Sequence, residues 1–205
     1  VQAKDIEIPE GKTIIDIVPS EVILDNGKIV ADPVGNLSSN FTLKAQVILA
    51  NKDYVRQLTS IFKRVGIEID GIVPTALAEK NLMLDTNELY DNVMLLDIGA
   101  GNTEIGVFEG NAFIYTNTIP LGGDNITSDI AYVFNITEEE ADRLKKQYGL
   151  ALKSFIDNDN NIVLNTYKGM DSKNRTIKSS ELIEIIEARV EEIFSIINKD
   201  VTNQG

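Results

Sequence analysis

The chain has no cysteine and no histidine among its 205 residues. The first absence excludes a disulfide scaffold, a thiolate metal site and a cysteine nucleophile. The second removes the commonest general base and the commonest zinc ligand. Basic residues are also scarce: 19 Lys and Arg stand against 32 Asp and Glu, a formal net charge of −13. That is the wrong sign for a protein that grips a phosphate backbone, so nucleic acid is not an expected partner. No stretch approaches the roughly 20 apolar residues that span a bilayer, and no signal peptide opens the chain. Both ends look cut, since the chain begins at Val1 rather than Met and stops at "VTNQG" directly after a strong helical pattern. A piece of a longer, cytosolic protein is the expectation.

An apolar fraction of 43% and a charged fraction of 25% are ordinary globular values, so the chain should bury a core. Residues 1–72 read as a compact α+β lobe. In it "TIIDIVPSEVIL" forms two short strands around Pro19, and "FTLKAQVILA" alternates as a half-buried strand. The helix "DYVRQLTSIFKRVG" is expected to be capped by Asp53 and closed by Gly66, with Tyr54, Val55, Leu58, Ile61, Phe62 and Val65 on its apolar face. Residues 73–92 read as a linking helix, "TALAEKNLML", and a polar break, "DTNELYDN". Residues 93–205 hold three strands in quick order and then two helices. A hairpin and a long helix with Ile183, Ile186, Val190, Ile193 and Ile197 in one stripe complete them. Thr137 and Glu140 suggest a capping box, with Gly149 as the stop.

The chemistry concentrates in "VMLLDIGAGNTEIGVFEGN", residues 93–111, where Gly99, Ala100, Gly101, Asn102 and Thr103 sit between two strands. A bend without Cβ atoms lets a phosphate approach successive backbone N–H groups. Thr103 would add a hydroxyl donor. Asp97, at the strand's carboxyl end, is placed to hold a hydrated Mg²⁺ beside the phosphates. The turn is not a dinucleotide fingerprint, since a strand follows it, and no P-loop occurs anywhere. A tight hairpin with a spare aspartate is the plain alternative. "IPLGGDNITSDIA" repeats the logic: Gly122 and Gly123 lead into a helix whose first turn carries Asp124, where unpaired N–H groups and the positive dipole end face an anion. Two such turns about twenty residues apart favour a phosphate clamp.

The segment from "LLDIGAGNTEIGVFEGN" through "IPLGGDNITSDIA" to "EEEADRLKKQYG" resembles the second phosphate region of the FtsA family, actin-like bacterial cell-division proteins. The front "DIVPSEVILDNGKIVADPVGN" is similar to that family's inserted 1C subdomain, so the likeness covers nearly the whole chain. It implies a mixed α/β and α+β fold: an actin-like (ribonuclease H-like) ATPase half with a small α+β inserted lobe, incomplete at both ends. It implies ATP with Mg²⁺ as ligands of the full-length protein, binding weak or absent in this piece, and a scaffold with at most slow ATPase activity rather than an enzyme. Asp97, Gly99, Ala100, Gly101, Asn102 and Thr103 then match the second phosphate loop, and Gly122, Gly123 and Asp124 the following turn. Lys145 matches a lysine near the nucleoside, its alternative being a solvated lysine at a helix C-terminus.

The resemblance further implies self-association into filaments, contacts with other division proteins through the first lobe, and docking of the FtsZ C-terminal tail on residues 165–197. Arg189 is the candidate cation there, or else a surface partner of Glu192 at i,i+3. Membrane attachment would lie in a segment missing from this chain, placing the protein in the cytoplasm at the inner face of the membrane at the division site. The alternatives are a pilus-assembly adaptor of the PilM type and an actin-fold phosphotransferase. The latter needs a base that the sequence does not compel.

Overall fold

A computed structural model of the chain describes residues 7–30, 34–84, 92–110, 112–165 and 175–203. The chain divides into two compact units. The first comprises residues 1–96 and 106–117, the second 97–105 and 118–205. The linking helix and most of the following hairpin thus go with the first lobe, whose end the sequence places near residue 72.

The first unit carries an antiparallel sheet of order β2-β1-β3, formed by β1 (Lys12–Leu24), β2 (Ile29–Val30) and β3 (Phe41–Asn51). The sequence suggests two strands around Pro19, whereas β1 is continuous. It survives because Pro19 lies at a register shift against β3, and β2 pairs only Val22 and Ile23. The missing N–H of the proline therefore falls where no ladder bond is required. Helix α1 (Lys52–Arg64) is capped by the Asn51 side chain, which accepts from the N–H groups of Asp53 and Tyr54. Asp53 sits in the first turn and is not the cap. Gly66, at φ +76°, closes the helix as expected. The apolar face of α1 is largely bare: Val55 and Leu58 are half-buried, while Tyr54, Ile61, Phe62 and Val65 are exposed.

Helix α2 (Thr75–Met83) packs over Phe108 and Phe113 through Ala76 and Leu77. Gly106 permits this, since a Cβ there would lie 2.3 Å from that of Ala76. Lys80 is buried with its ammonium 5.1 Å from the centre of the Phe108 ring, and desolvation holds its pKa below the usual lysine range. The polar break at residues 85–91 lies outside the described residues. A second sheet has the order β4-β5-β6, from β4 (Asn92–Ile98), β5 (Thr103–Glu109) and β6 (Ala112–Ile119), the three strands expected from the alternation.

The second unit is built on α3 (Gly123–Phe134), α4 (Glu138–Tyr148), the hairpin β7 (Asn161–Val163) and β8 (Thr176–Lys178), and α5 (Ser179–Thr202). Its core joins Ile130 and Phe134 of α3, Leu144 of α4, Ile162 and Ile177 of the hairpin, and Leu182 and Ile186 of α5. Thr137 caps α4 by accepting from the Glu140 N–H. The Glu140 carboxylate, which the capping-box pattern would turn back toward Thr137, instead takes two bonds from Arg143 and one from the Asn165 N–H. A buried carboxylate gains more from those charge-assisted bonds, and they hold its pKa below the usual value. Gly149 closes α4, because a Cβ there would lie 2.3 Å from the Lys145 carbonyl oxygen.

Candidate functional site

All ten nucleotide-site candidates of the sequence lie in the second unit. The bend between β4 and β5 is closed by the Gly99 N–H donating to the Asn102 carbonyl at 2.9 Å. The entry to α3 lies directly on it. The Gly123 N–H donates to the Gly99 carbonyl at 2.9 Å, and the Asp124 N–H to the Ala100 carbonyl at 2.8 Å. Thr103, fully buried, donates its hydroxyl to the Leu121 carbonyl at 2.8 Å. Asn125 accepts the Gly122 N–H on its Oδ1 at 2.9 Å. The two bends form one interlocked clasp.

This arrangement corrects three expectations about donors. The hydroxyl of Thr103 is spent on Leu121 and does not face a ligand. The amides of Gly123 and Asp124 are orphan donors of the helix start, but the first bend's carbonyls satisfy them. Gly122 lacks a side chain for the neighbouring bend rather than for a phosphate, since a Cβ would come within 2.5 Å of both the Gly99 and Ala100 oxygens. What remains is the outer rim of the first bend. Ala100, Gly101 and Asn102 are exposed there, and among the described residues their N–H groups have no acceptor. A Cβ at Gly101 would meet nothing within 4 Å, which leaves the space an anion needs.

Lys145 is neither solvated nor free. It bridges from α4 to the start of α3, donating to the Gly123 carbonyl at 2.9 Å and the Thr127 hydroxyl at 2.6 Å, with Asp142 at 3.3 Å. Asn125 and Thr127 were not singled out by the sequence. A Thr four residues after Gly123, able to bond that glycine's carbonyl, is the signal that could have found it. Asp97 and Asp124 are exposed carboxylates. No group of three or more metal-ligating side chains occurs among the described residues. The described side chains therefore offer no protein-only metal cage.

Arg189 is not the open cation of the sequence reading. Its guanidinium makes a two-pronged pair with Asp129, at 2.6 and 2.8 Å, and also bonds Glu192. Those carboxylates hold its pKa above the usual arginine value, the Asp129 bonds contributing most. The pair spans a groove of about 820 Å³ between α3 and α5, with Tyr132, Val133, Ile185 and Ala188 among its apolar lining and Glu181 and Glu184 on its rim.

Three comparisons place the chain among known proteins. A family model of the cell division protein FtsA matches residues 94–201. The chain is 35% identical over 203 residues to cell division protein FtsA of Bacillus subtilis (strain 168), covering 99% of this chain and 46% of that protein. It is 27% identical over 199 residues to cell division protein FtsA of Escherichia coli (strain K12), covering 97% and 47%. The chain thus spans about half the length of the curated relatives it matches. Among solved structures, one chain of the PilM-PilN type IV pilus biogenesis complex superposes with a TM-score of 0.50 at 19% identity, over 70% of this chain and 40% of that one. The shared architecture is the actin-like fold that the family resemblance implies.

Proposed function

Because this chain belongs to the FtsA family of cell division proteins, we propose that it supplies one jaw of the ATP site of an actin-like scaffold in the division ring. The observation that carries the reading is the clasp. Its interlocked bends leave the amides of Ala100, Gly101 and Asn102 without an acceptor among the described residues, and a Cβ at Gly101 would meet nothing within 4 Å, a donor set suited to phosphate oxygens. Asp97 takes the water-mediated place beside Mg²⁺. One jaw closes no cavity around a triphosphate, so the chain alone binds ATP weakly, and the full-length protein binds it well.

The scaffold holds FtsZ filaments through their C-terminal tail, and the second unit offers the α3–α5 groove for it, with Arg189 serving the groove as a strut rather than as the tail's receptor. Self-association and other division proteins use the first lobe, where α1 shows its apolar side. Attachment is to the inner face of the membrane at the division site; no described helix is long and apolar enough to cross one. ATPase activity is at most slow. The likeness to PilM is one of fold at 19% identity and favours the pilus adaptor less than family membership favours division.

Calorimetric titration of ATP into the full-length protein and into this chain tests the jaw, together with capture of an FtsZ C-terminal peptide by the full-length protein. Micromolar ATP affinity and peptide capture by the full-length protein support the reading. Micromolar affinity in the isolated chain refutes the single-jaw account. Steady-state turnover above about 1 s⁻¹ in the full-length protein replaces the scaffold with an enzyme.

A further inference from the structure

We propose that Asn26 is a site of spontaneous covalent modification. The backbone nitrogen of Gly27 converts its side-chain amide into a mixture of aspartate and isoaspartate, and the change loosens the β1–β2 hairpin of the first lobe. Asn26–Gly27 is the chain's one Asn–Gly step, and residues 25–28 are all exposed. The pair is there for the turn. Gly27, at φ +79°, donates its N–H to the Leu24 carbonyl at 2.9 Å, and the Leu24 N–H bonds the Lys28 carbonyl at 2.9 Å, which closes the hairpin on its left-handed glycine. Reactivity follows from the same choice, because a residue without Cβ leaves its nitrogen open to approach. The Asn26 Oδ1 accepts the Lys28 N–H at 2.9 Å. The ring this bond closes contains both the carbon to be attacked and the nitrogen that attacks it, and the N–H polarises the carbonyl between them.

The step balances with water alone. Hydroxide takes the Gly27 amide proton and becomes water. The nitrogen then bonds Cγ of Asn26, the Cγ–Nδ2 bond breaks, and Nδ2 takes a proton from water and leaves as ammonia. Water opens the resulting cyclic imide. Cleavage at Cγ leaves an aspartate in the ordinary chain, and cleavage at the Asn26 backbone carbonyl leaves an isoaspartate, whose chain runs through the side chain. Before attack the nitrogen must release Leu24, and little holds it there. Strand β2 is two residues long and pairs Val30 with Val22 and Ile29 with Ile23. Short, exposed pairings open locally at small cost. Either product puts a carboxylate beside Asp25, whose own carboxylate takes the Ser39 N–H at 3.0 Å, and like charges side by side repel. Isoaspartate also adds a carbon to the backbone inside the turn, which pulls the β2 pairs and the Asp25–Ser39 tie out of register.

The test holds full-length protein at neutral and at mildly alkaline pH and follows the mass and fragmentation of its peptides over time. Asn26 should gain the mass of an amide-to-acid change at least about tenfold faster than Asn158 and Asn160, which are also exposed but precede residues with a Cβ. Both acids should form, and the rate should rise in proportion to hydroxide. Asn26→Gln should not convert over the same period, since its imide ring needs a further carbon. Amide exchange across residues 22–30 should be faster in the converted protein than in the fresh one. Conversion of Asn26 no faster than that of Asn158 and Asn160 would overturn the proposal. Aspartate formed without isoaspartate would overturn the route through Gly27, and unchanged exchange across residues 22–30 would overturn the loosening. If Asn26→Gln itself disturbs the hairpin, the ratio of Asn26 to Asn158 conversion within the wild type decides.

Discussion

Replacing Gly122 by Ala isolates the contact on which the site depends. The φ of Gly122 is −164°, extended backbone open to any residue, so conformational strain contributes nothing. The cost is steric: the new methyl would stand 2.5 Å from two backbone oxygens, those of Gly99 and Ala100. Carbon and oxygen atoms rest at well over 3 Å. Neither oxygen belongs to a flexible side chain, so the bends must separate by something on the order of half an ångström or more. Overpacking of this kind costs about 1–3 kcal/mol. Separation also stretches the two hydrogen bonds from Gly123 and Asp124, worth roughly 1 kcal/mol each. Loss of unfolded-state freedom returns about 0.4–1 kcal/mol. The net expectation is a loss of about 2–4 kcal/mol, concentrated at the start of α3. Because the chain has two units, a single unfolding transition is not assumed, and amide exchange along residues 123–134 should accompany urea titration followed by circular dichroism. The paired control is Gly101→Ala, whose methyl meets nothing. It should change stability by less than about 0.5 kcal/mol, yet weaken ATP binding by the full-length protein about tenfold, equal to 1.4 kcal/mol. An unaltered α3 exchange pattern in Gly122→Ala would refute the interlocked clasp. A destabilised Gly101→Ala would show that its open side is not open.

Three further outcomes follow from the same contacts. Glu140 has a depressed pKa in the folded chain, chiefly through Arg143, so its contribution is complete above the ordinary carboxylate value of 4.5 and is lost as pH falls through the lower folded value. Glu140→Gln should cost about 1–3 kcal/mol at neutral pH and flatten the acid limb of the urea midpoint between about pH 5 and 3, an effect absent if the carboxylate does not hold Asn165 and Arg143. Arg189→Ala and Asp129→Ala should each destabilise the second unit by about 1 kcal/mol, with a coupling of similar size in the double-mutant cycle. Additive effects would mean that the pair does not bridge α3 and α5. Gly149→Ala should fray α4 from its end, seen as faster exchange at residues 145–149, because its methyl would strike the Lys145 carbonyl and press on Ile186 at 3.0 Å.

Local signals in the chain were legible and distant ones were not. The strand–bend–strand of residues 93–117, the Thr137 cap and the α5 stripe, of which Ile183, Ile186, Ile193 and Ile197 are buried, each follow from a period or a cap within a few residues. The Arg189–Asp129 pair joins positions 60 residues apart, and nothing in the spacing of either announces the other. Arg189 therefore read as free, or as the partner of Glu192 alone. Periodicity likewise showed that one side of α1 is apolar, but it carries no information on whether the same chain covers that side.

The glycine bends show why counting donors along a sequence overstates a site. Every glycine there suggests an approachable amide, yet Gly122 is bare for the sake of two carbonyls, and the amides of Gly123 and Asp124 are already spent on those carbonyls. Only the rim from Ala100 to Asn102 retains donors, and it retains them because the second bend has filled the acceptors behind it. The second bend therefore has its backbone amides spent inside the clasp. It fixes where the first one points, so substitutions at positions 122–124 should change phosphate affinity only to the extent that they disturb positions 99–100.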